Sequence, residues 1–200
     1  MSCRVLETLR YAVLCGSVTL CAASMGRAAE PAAAAPVAQP TVVSAVAVVH
    51  PLGESKVMGV VHFTPDGADK VKVVADITGL EPNSQHAFHI HEFGDCTDPA
   101  GKSAGGHFNP DKHEHGKPTD PADKRHPGDM GNIQADASGK AHLELTLDGI
   151  SINGEKAAIL GRGIIIHAKA DDFSQPVGNA GDRIACGVIG IAKPEPTAAK

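Results

Sequence analysis

Eight short runs rich in β-branched residues are the strongest constraint on the fold of this chain. Turn-forming residues separate them, as at Pro51-Leu52-Gly53 and Pro65-Asp66-Gly67. Apolar residues recur with a helical period in none of the segments. The runs are 41–50, 56–65, 70–80, 85–93, 131–136, 140–147, 163–170 and 182–192. We therefore predict an all-β, antiparallel sandwich or barrel of eight strands.

Composition supports this prediction and excludes one class of partner. The 200 residues include 22 glycines and 14 prolines, which suits a fold with many turns. The formal net charge is −5, and lysine and arginine form no cluster or stripe. Nucleic acid is therefore not an expected partner.

The first 29 residues have the pattern of an export signal. Arg4 and Arg10 give a positive start, the apolar run 11–25 follows, and small residues suited to cleavage lie near Ala28. The apolar run is short for a membrane span, although an uncleaved anchor is the alternative. We predict a signal peptide at 1–29, an exported protein in the periplasm or outside the cell, and no membrane span after signal removal.

The rest of the chain divides into a linker, one domain and a tail. An alanine- and proline-rich linker occupies 30–40, and a similar tail occupies 194–200. The folded domain is therefore predicted at 41–193.

Cysteine usage agrees with export. Three of the five cysteines, Cys3, Cys15 and Cys21, lie in the predicted signal. Cys96 and Cys186 remain as an even pair, which can form a disulfide in an oxidising compartment or stay as two buried thiols.

Two long stretches, 94–130 and 171–181, do not have the pattern of strands. Loops of this length in a compact domain are usually functional or disordered. The first is dense in aspartate, histidine and glycine. A bound metal ion would give such a loop a defined structure.

The sequence HAFHIHEFGDC at 86–96 places two histidines on one face of a strand. Side chains alternate along a strand, so His89 and His91 share a face opposite Phe88 and Ile90. His86 has the other parity, and we expect it to make a structural hydrogen bond near the site. The His-x-His pair alone is weak support for a metal site.

The first long stretch adds a pattern typical of zinc ligands. Its members follow the spacing H-x7-H-x10-H-x2-D and are His107, His115, His126 and Asp129. A solvated polar loop is the alternative, and His113 could compete with His115. His167 ends an apolar run, where it could either pack or bind a metal.

Four motifs together resemble the copper/zinc superoxide dismutase family. They are FHIHEFGDCT at 88–97, GGHFNP at 105–110, HPGDMGN at 126–132 and GNAGDRIACGVIG at 178–190. Their order and spacing match over about 41–192. The resemblance implies an eight-stranded Greek-key barrel or sandwich, immunoglobulin-like, with two long functional loops.

The resemblance also implies a metal centre with one copper and one zinc per subunit. The implied copper ligands are His89, His91, His107 and His167. The implied zinc ligands are His107, His115, His126 and Asp129. Asp171 would connect the copper ligands to the zinc ligands without binding a metal ion itself. Arg183 would attract the anionic substrate beside copper. Cys96 and Cys186 would form the disulfide, and Arg183 and His107 would act in catalysis.

The activity implied by the resemblance is disproportionation of superoxide to oxygen and hydrogen peroxide through a Cu(II)/Cu(I) cycle. Its role would be antioxidant defence outside the cytoplasm, by a homodimer. A non-catalytic periplasmic copper/zinc carrier on the same fold is the alternative. The segment 171–183 departs from the common eukaryotic members: it is shorter, and 174–177 carries no charge. This departure concerns the electrostatic guidance of substrate and leaves the implied metal ligands unchanged.

Overall fold

The computed structural model describes residues 44–67, 69–154 and 156–193. The predicted signal peptide, linker and tail lie outside these residues. Within them are eight β-strands and two single-turn 3-10 helices, Lys102–Ala104 and Ala122–Lys124. The strands are β1 (Ala45–Pro51), β2 (Met58–Pro65), β3 (Lys70–Thr78), β4 (Gln85–His91), β5 (Asp129–Gln134), β6 (Ala141–Asp148), β7 (Gly163–His167) and β8 (Arg183–Ile191).

The strands form one antiparallel sheet in the order β5-β4-β7-β8-β1-β2-β3-β6. Its end strands, β5 and β6, contact each other, so the sheet curls into a nearly closed barrel. Chain neighbours β3 and β4 are separated in the sheet, as Greek-key crossovers require. The predicted all-β fold with eight antiparallel strands is confirmed.

Alternation of apolar and polar residues explains which strand faces are buried. On β3, the buried residues Val71, Val73 and Ile77 alternate with exposed residues such as Lys72. On β4 both faces are buried, because Phe88 and Ile90 enter the core while the histidines lie under the loops.

Several strand ends differ from the prediction, and three of them lie at the predicted metal centre. β4 ends at His91 and β7 at His167, earlier than expected, because the chain turns there into the two long loops. β5 begins two residues earlier than expected, at Asp129, which pairs with His89 across the sheet. All three ends therefore coincide with histidines or a carboxylate of the predicted metal centre.

Two loops cover the end of the barrel where these histidines lie. The first loop (92–128) joins β4 to β5, and the second loop (168–182) joins β7 to β8. A disulfide between Cys96 and Cys186, with Cα atoms 5.8 Å apart, ties the first loop to β8. No helix in the described ranges has the length and apolar character needed to cross a membrane.

Candidate metal centre

Four buried histidines form what we call the strand-borne cluster: His89, His91, His107 and His167. Register places His89 opposite Ile165, on the strand β7 that ends at His167. His107 comes from the first loop and reaches His91 through an isolated bridge. One possible ligand atom from each ring lies within 4.8 Å of the others. Sheet register thus brings together three of these rings, and the first loop adds the fourth.

Hydrogen bonds fix which nitrogen of these rings can bind a metal ion. The donated bonds are His89 Nε2 to Asp171 Oδ2 (2.8 Å), His91 Nδ1 to Gly105 O (3.1 Å) and His167 Nδ1 to Gly181 O (3.4 Å). The second nitrogen of each ring is buried and, among the described residues, has no hydrogen-bond partner. These nitrogens are His89 Nδ1, His91 Nε2 and His167 Nε2. Each carries a lone pair, as a metal-binding imidazole does when its other nitrogen is a donor.

A second group, the loop-borne cluster, contains His107, His115, His126 and Asp129. A tight turn at 126–129 brings His126 and Asp129 together, because the Asp129 N–H donates to His126 O over 3.1 Å. Nδ1 of His115 lies 3.0 Å from Asp129 Oδ2. His107 belongs to both clusters. Its Nδ1 lies in the loop-borne cluster, which leaves Nε2 for the strand-borne cluster.

Distances in the loop-borne cluster fit tetrahedral zinc. Zinc–nitrogen bonds of about 2.0 Å place tetrahedral ligand atoms about 3.3 Å apart. The Nδ1 atoms of His107 and His126 are 3.3 Å apart. Asp129 Oδ1 lies 3.2 Å from the first and 3.1 Å from the second. Three imidazoles and one carboxylate at these separations fit one zinc ion.

The carboxylate of Asp129 is held by main-chain donors as well as by histidines. Its Oδ2 accepts hydrogen bonds from the N–H groups of Gly116 (3.0 Å) and His126 (2.9 Å). Burial raises the pKa of Asp129, but bonds from His107, His115 and His126 outweigh burial and hold this pKa far below its usual range. The group is therefore ionised and oriented for a cation.

Asp171, in the second loop, joins the two clusters. Its carboxylate accepts from His89 Nε2 (2.8 Å) and from His115 Nε2 (2.9 Å to Oδ2). Asn132 fixes the main chain of Asp171: the Asn132 side-chain amide donates to Asp171 O (3.0 Å), and the Asp171 N–H donates to Asn132 Oδ1 (2.6 Å). Burial raises the pKa of Asp171, but the two histidine bonds lower it well below its usual range. Asp171 thus fixes one ring of each cluster.

Burial and hydrogen bonds shift the pKa values of four of these rings. Burial lowers the pKa of His107 to about 4 and that of His167 to about 3, and it also holds that of His91 well below 6.5. Burial also lowers the pKa of His115, but its bonds with Asp129 and Asp171 outweigh burial and raise the value to about 9. His91, His107 and His167 are therefore neutral at neutral pH, as metal ligands must be.

The strand-borne cluster opens onto a cavity of about 520 Å³. Arg183 and Lys169 line this cavity together with three of the cluster histidines. The guanidinium of Arg183 donates to Gly101 O and Gly105 O, each over 2.6 Å, which fixes it at the wall. The cavity therefore combines neutral imidazoles with positive charge, an arrangement suited to a small anion.

The remaining polar residues near the clusters bind the main chain. His86 Nδ1 donates to His167 O over 2.8 Å, in agreement with the structural hydrogen bond expected for it. His113 Nδ1 lies 3.1 Å from Ala122 O and 3.2 Å from Arg125 O. His113 is therefore used in fixing the first loop.

Sequence reasoning missed three residues that support the clusters: Arg125, Asn132 and Gln175. Arg125 is fully buried, donates to His126 O over 3.2 Å and forms an ion pair with Asp148. Asn132 holds Asp171, and Gln175 hydrogen-bonds the main chain of His115. Asn132 belongs to the motif HPGDMGN, which is the one signal that could have identified it. The local sequences around Arg125 and Gln175 carry no comparable signal.

Comparisons with known proteins agree with this geometry. A family model described as copper/zinc superoxide dismutase matches residues 57–189. The chain is 46% identical over 158 residues to a copper–zinc superoxide dismutase of Paramecium bursaria Chlorella virus 1, covering 76% of this chain and 80% of that one. It is also 46% identical over 158 residues to that of Schizosaccharomyces pombe, covering 75% and 99%. For the Candida albicans protein of the same name the identity is 44% over 164 residues, covering 76% and 99%.

The matched region contains both clusters, the disulfide and all of the cavity wall described above. The family model alone spans more than half of the chain. The relatives align along nearly their full length in two of the three cases. The chain belongs to the copper/zinc superoxide dismutase family.

Proposed function

We propose that the strand-borne cluster of this superoxide dismutase binds copper and that the loop-borne cluster binds zinc, one of each per subunit. The enzyme is an oxidoreductase that disproportionates superoxide to oxygen and hydrogen peroxide, and copper and zinc are its cofactors. The observation that carries the assignment is a set of three buried imidazole nitrogens that lie close together beside a cationic cavity and have no hydrogen-bond partner in the described part of the chain.

The chemistry of the two metals decides which cluster each one takes. Copper, when bound, supplies a one-electron couple, so that two superoxide anions react one after the other and need not meet. Zinc has no redox chemistry and commonly takes three imidazoles and a carboxylate in a closed tetrahedral site. Imidazole-only sites suit copper. The all-histidine cluster on the cavity therefore suits the redox metal, and the cluster with Asp129 suits zinc.

The chain's own residues bind the anion and supply a proton. Arg183, fixed by two carbonyl groups, presents positive charge to an anion entering the cavity. His107 offers one nitrogen to each cluster, and when its Nε2 does not bind copper that nitrogen could hold a proton beside the substrate and transfer it as peroxide forms. Asp171 accepts from His89 Nε2 and so keeps that ring in the tautomer whose Nδ1 can bind a metal ion.

A metal-loading experiment tests the proposal and the carrier alternative together. Purified protein is stripped of metal, loaded with copper, with zinc or with both, and assayed for superoxide consumption. We expect activity with copper alone, higher activity with both, and none with zinc alone or without metal. A carrier would bind both ions without turnover, and that result would refute the enzymatic proposal.

We also propose that the protein is exported. Support comes from the positively charged, apolar pattern at 1–29 and from the disulfide between Cys96 and Cys186, because such bonds persist in oxidising compartments. Cell fractionation combined with N-terminal sequencing of the mature protein tests this. Mature protein that begins near residue 30 outside the cytoplasm is expected, and full-length protein in the cytoplasm would contradict it.

Finally, we propose a homodimer. Phe93, Val188 and Ile191 are large apolar residues with 56%, 43% and 68% of their surface exposed, and Val48 lies opposite Val188 in the register of β1 and β8. Exposed apolar residues grouped in this way are typical of an interaction surface. Analytical ultracentrifugation should give twice the subunit mass, and a monomer at micromolar concentration would contradict the proposal.

A further inference from the structure

The uncharged part of the second loop makes an unusual contact with one loop-borne ligand. The side-chain amide of Gln175 hydrogen-bonds both main-chain groups of His115. The His115 N–H donates to Gln175 Oε1 over 2.9 Å, and Gln175 Nε2 donates to His115 O over 2.7 Å. This two-point contact resembles a hydrogen-bonded pair in an antiparallel sheet, with a side chain in place of the second strand.

His115 lies in a stretch of the first loop that has no regular secondary structure. Within the described ranges, Gln175 is the hydrogen-bond partner of both its N–H and its C=O. Residue 115 is also almost fully buried, so water cannot easily replace these bonds. The main-chain position of this ligand therefore depends on the second loop.

Two other residues of the second loop hold the ring of the same histidine. Asp171 accepts a hydrogen bond from His115 Nε2, and the ring of Phe173 stacks on the imidazole with centroids 6.2 Å apart and planes at 21°. Phe173 has a φ of 59°, an uncommon value for a residue with a side chain, and its N–H donates to Asp171 Oδ1. Asp171, Phe173 and Gln175 thus contact the ring edge, the ring face and the main chain of His115.

We propose that Gln175 is a positioning residue for the zinc site and that its amide slows zinc release by holding His115 in place. The inference rests on the proposed binding of zinc by the loop-borne cluster. Removal of the amide leaves the ligand atoms unchanged but lets the first loop move away from Asp129. Residues that orient metal ligands from outside typically change metal affinity by about 10- to 100-fold. Because Gln175 is exposed on its outer side, we expect the lower end of this range.

The experiment compares Gln175→Ala with Gln134→Ala in the intact, metal-loaded protein. Gln134 is a matched control because its amide also donates to main-chain carbonyls, those of Ser84 and Ala135, outside the metal clusters. Zinc transfer to a chromophoric chelator gives the rate of release. The visible spectrum of protein with cobalt(II) in place of zinc reports ligand geometry, which a general loss of stability would not alter.

We expect Gln175→Ala to release zinc roughly tenfold faster and to shift the cobalt bands, while Gln134→Ala matches the wild type. The rate of zinc release from Gln175→Glu should lie between the wild-type rate and that of Gln175→Ala, because the carboxylate can accept from the His115 N–H but cannot donate to His115 O. The inference would be overturned if Gln175→Ala had the wild-type rate of zinc release and the wild-type cobalt spectrum. It would also be overturned if Gln134→Ala released zinc as fast as Gln175→Ala. His115→Ala separates the two claims: if it binds zinc as the wild type does, the zinc assignment itself is wrong.

Discussion

The two ligand clusters meet at His107 but are held by different kinds of structure. In the strand-borne cluster, His89, His91 and His167 extend from paired strands whose other face is core. In the loop-borne cluster, His115 and His126 depend on hydrogen bonds between irregular segments, and Asp129 lies at the very start of β5. The first arrangement is fixed by sheet register, and the second is fixed by polar contacts that can be removed one at a time.

This difference in support predicts different consequences when a ligand is lost from each cluster. A cluster on strands keeps its geometry when one ligand is lost, because apolar burial holds the strands. A cluster on loops takes its geometry from its carboxylates and from the metal ion that it binds. Ordering of the loops and metal binding are therefore coupled. We therefore expect ligand substitutions to affect mainly activity in the first cluster and mainly stability in the second.

The largest expected effect is on activity, in His91→Ala. Removal of this strand-borne ligand should abolish copper binding and lower dismutase turnover at least about a thousandfold, as loss of an essential catalytic group does. Zinc content and the melting temperature of the zinc-loaded protein should change little, because Phe88 and Ile90 still anchor β4.

The matched variant is His126→Ala in the loop-borne cluster. It should lose zinc and stability but keep part of its copper-dependent activity. If His91→Ala unfolds the protein, or if His126→Ala loses as much copper as His91→Ala, the contrast between the clusters does not hold.

The next effect is on stability, through the covalent anchor of the first loop. Replacing Cys96 and Cys186 by alanine removes a cross-link that spans 90 residues. We expect the free energy of unfolding of the metal-free protein to fall by about 2–4 kcal/mol, measured by urea titration. A change of less than about 0.5 kcal/mol would show that polar contacts suffice to hold this loop.

A smaller effect is expected for Asp129→Asn, which preserves shape and removes charge. The carboxylate accepts bonds from two main-chain N–H groups and from histidines, and an amide can satisfy only part of this set. Metal-free protein should lose about 2–3 kcal/mol of stability, and zinc affinity should fall steeply. Calorimetry with and without zinc measures both, and retention of wild-type zinc affinity would contradict the assignment.

The smallest effect is on substrate guidance, in Arg183→Ala. The value of kcat/KM should fall about tenfold, and its dependence on ionic strength should weaken, because the fixed positive charge at the cavity is removed. Copper and zinc content should stay at wild-type levels, as metal analysis can show. Unchanged activity at low salt would exclude the role of Arg183.

Much of the strand-borne half could be predicted from sequence. Alternation along 85–91 correctly separates His89 and His91 from the core residues Phe88 and Ile90, because strand parity is a local property. The turn at 126–129 is also local. The starting point of β5 could not be predicted, since Asp129 joins the sheet only by pairing with His89.

The residues that hold the loop-borne cluster in place could not be predicted, because their contacts depend on the path of the loops through space. Gln175 and His115 are 60 residues apart, and the buried guanidinium of Arg125 bonds Asp148 and the His126 carbonyl. Their neighbours in sequence give no sign of these contacts. Residue patterns therefore predict which residues form the two clusters better than they predict what holds those residues in place.

The most direct test of the central claim is diffraction from copper- and zinc-loaded crystals, with anomalous differences recorded at the absorption edges of the two metals. The copper peak should lie among His89, His91, His107 and His167. The zinc peak should lie among His107, His115, His126 and Asp129. Exchanged peaks, or a single metal shared equally by both clusters, would contradict the division into a catalytic strand-borne cluster and a structural loop-borne cluster.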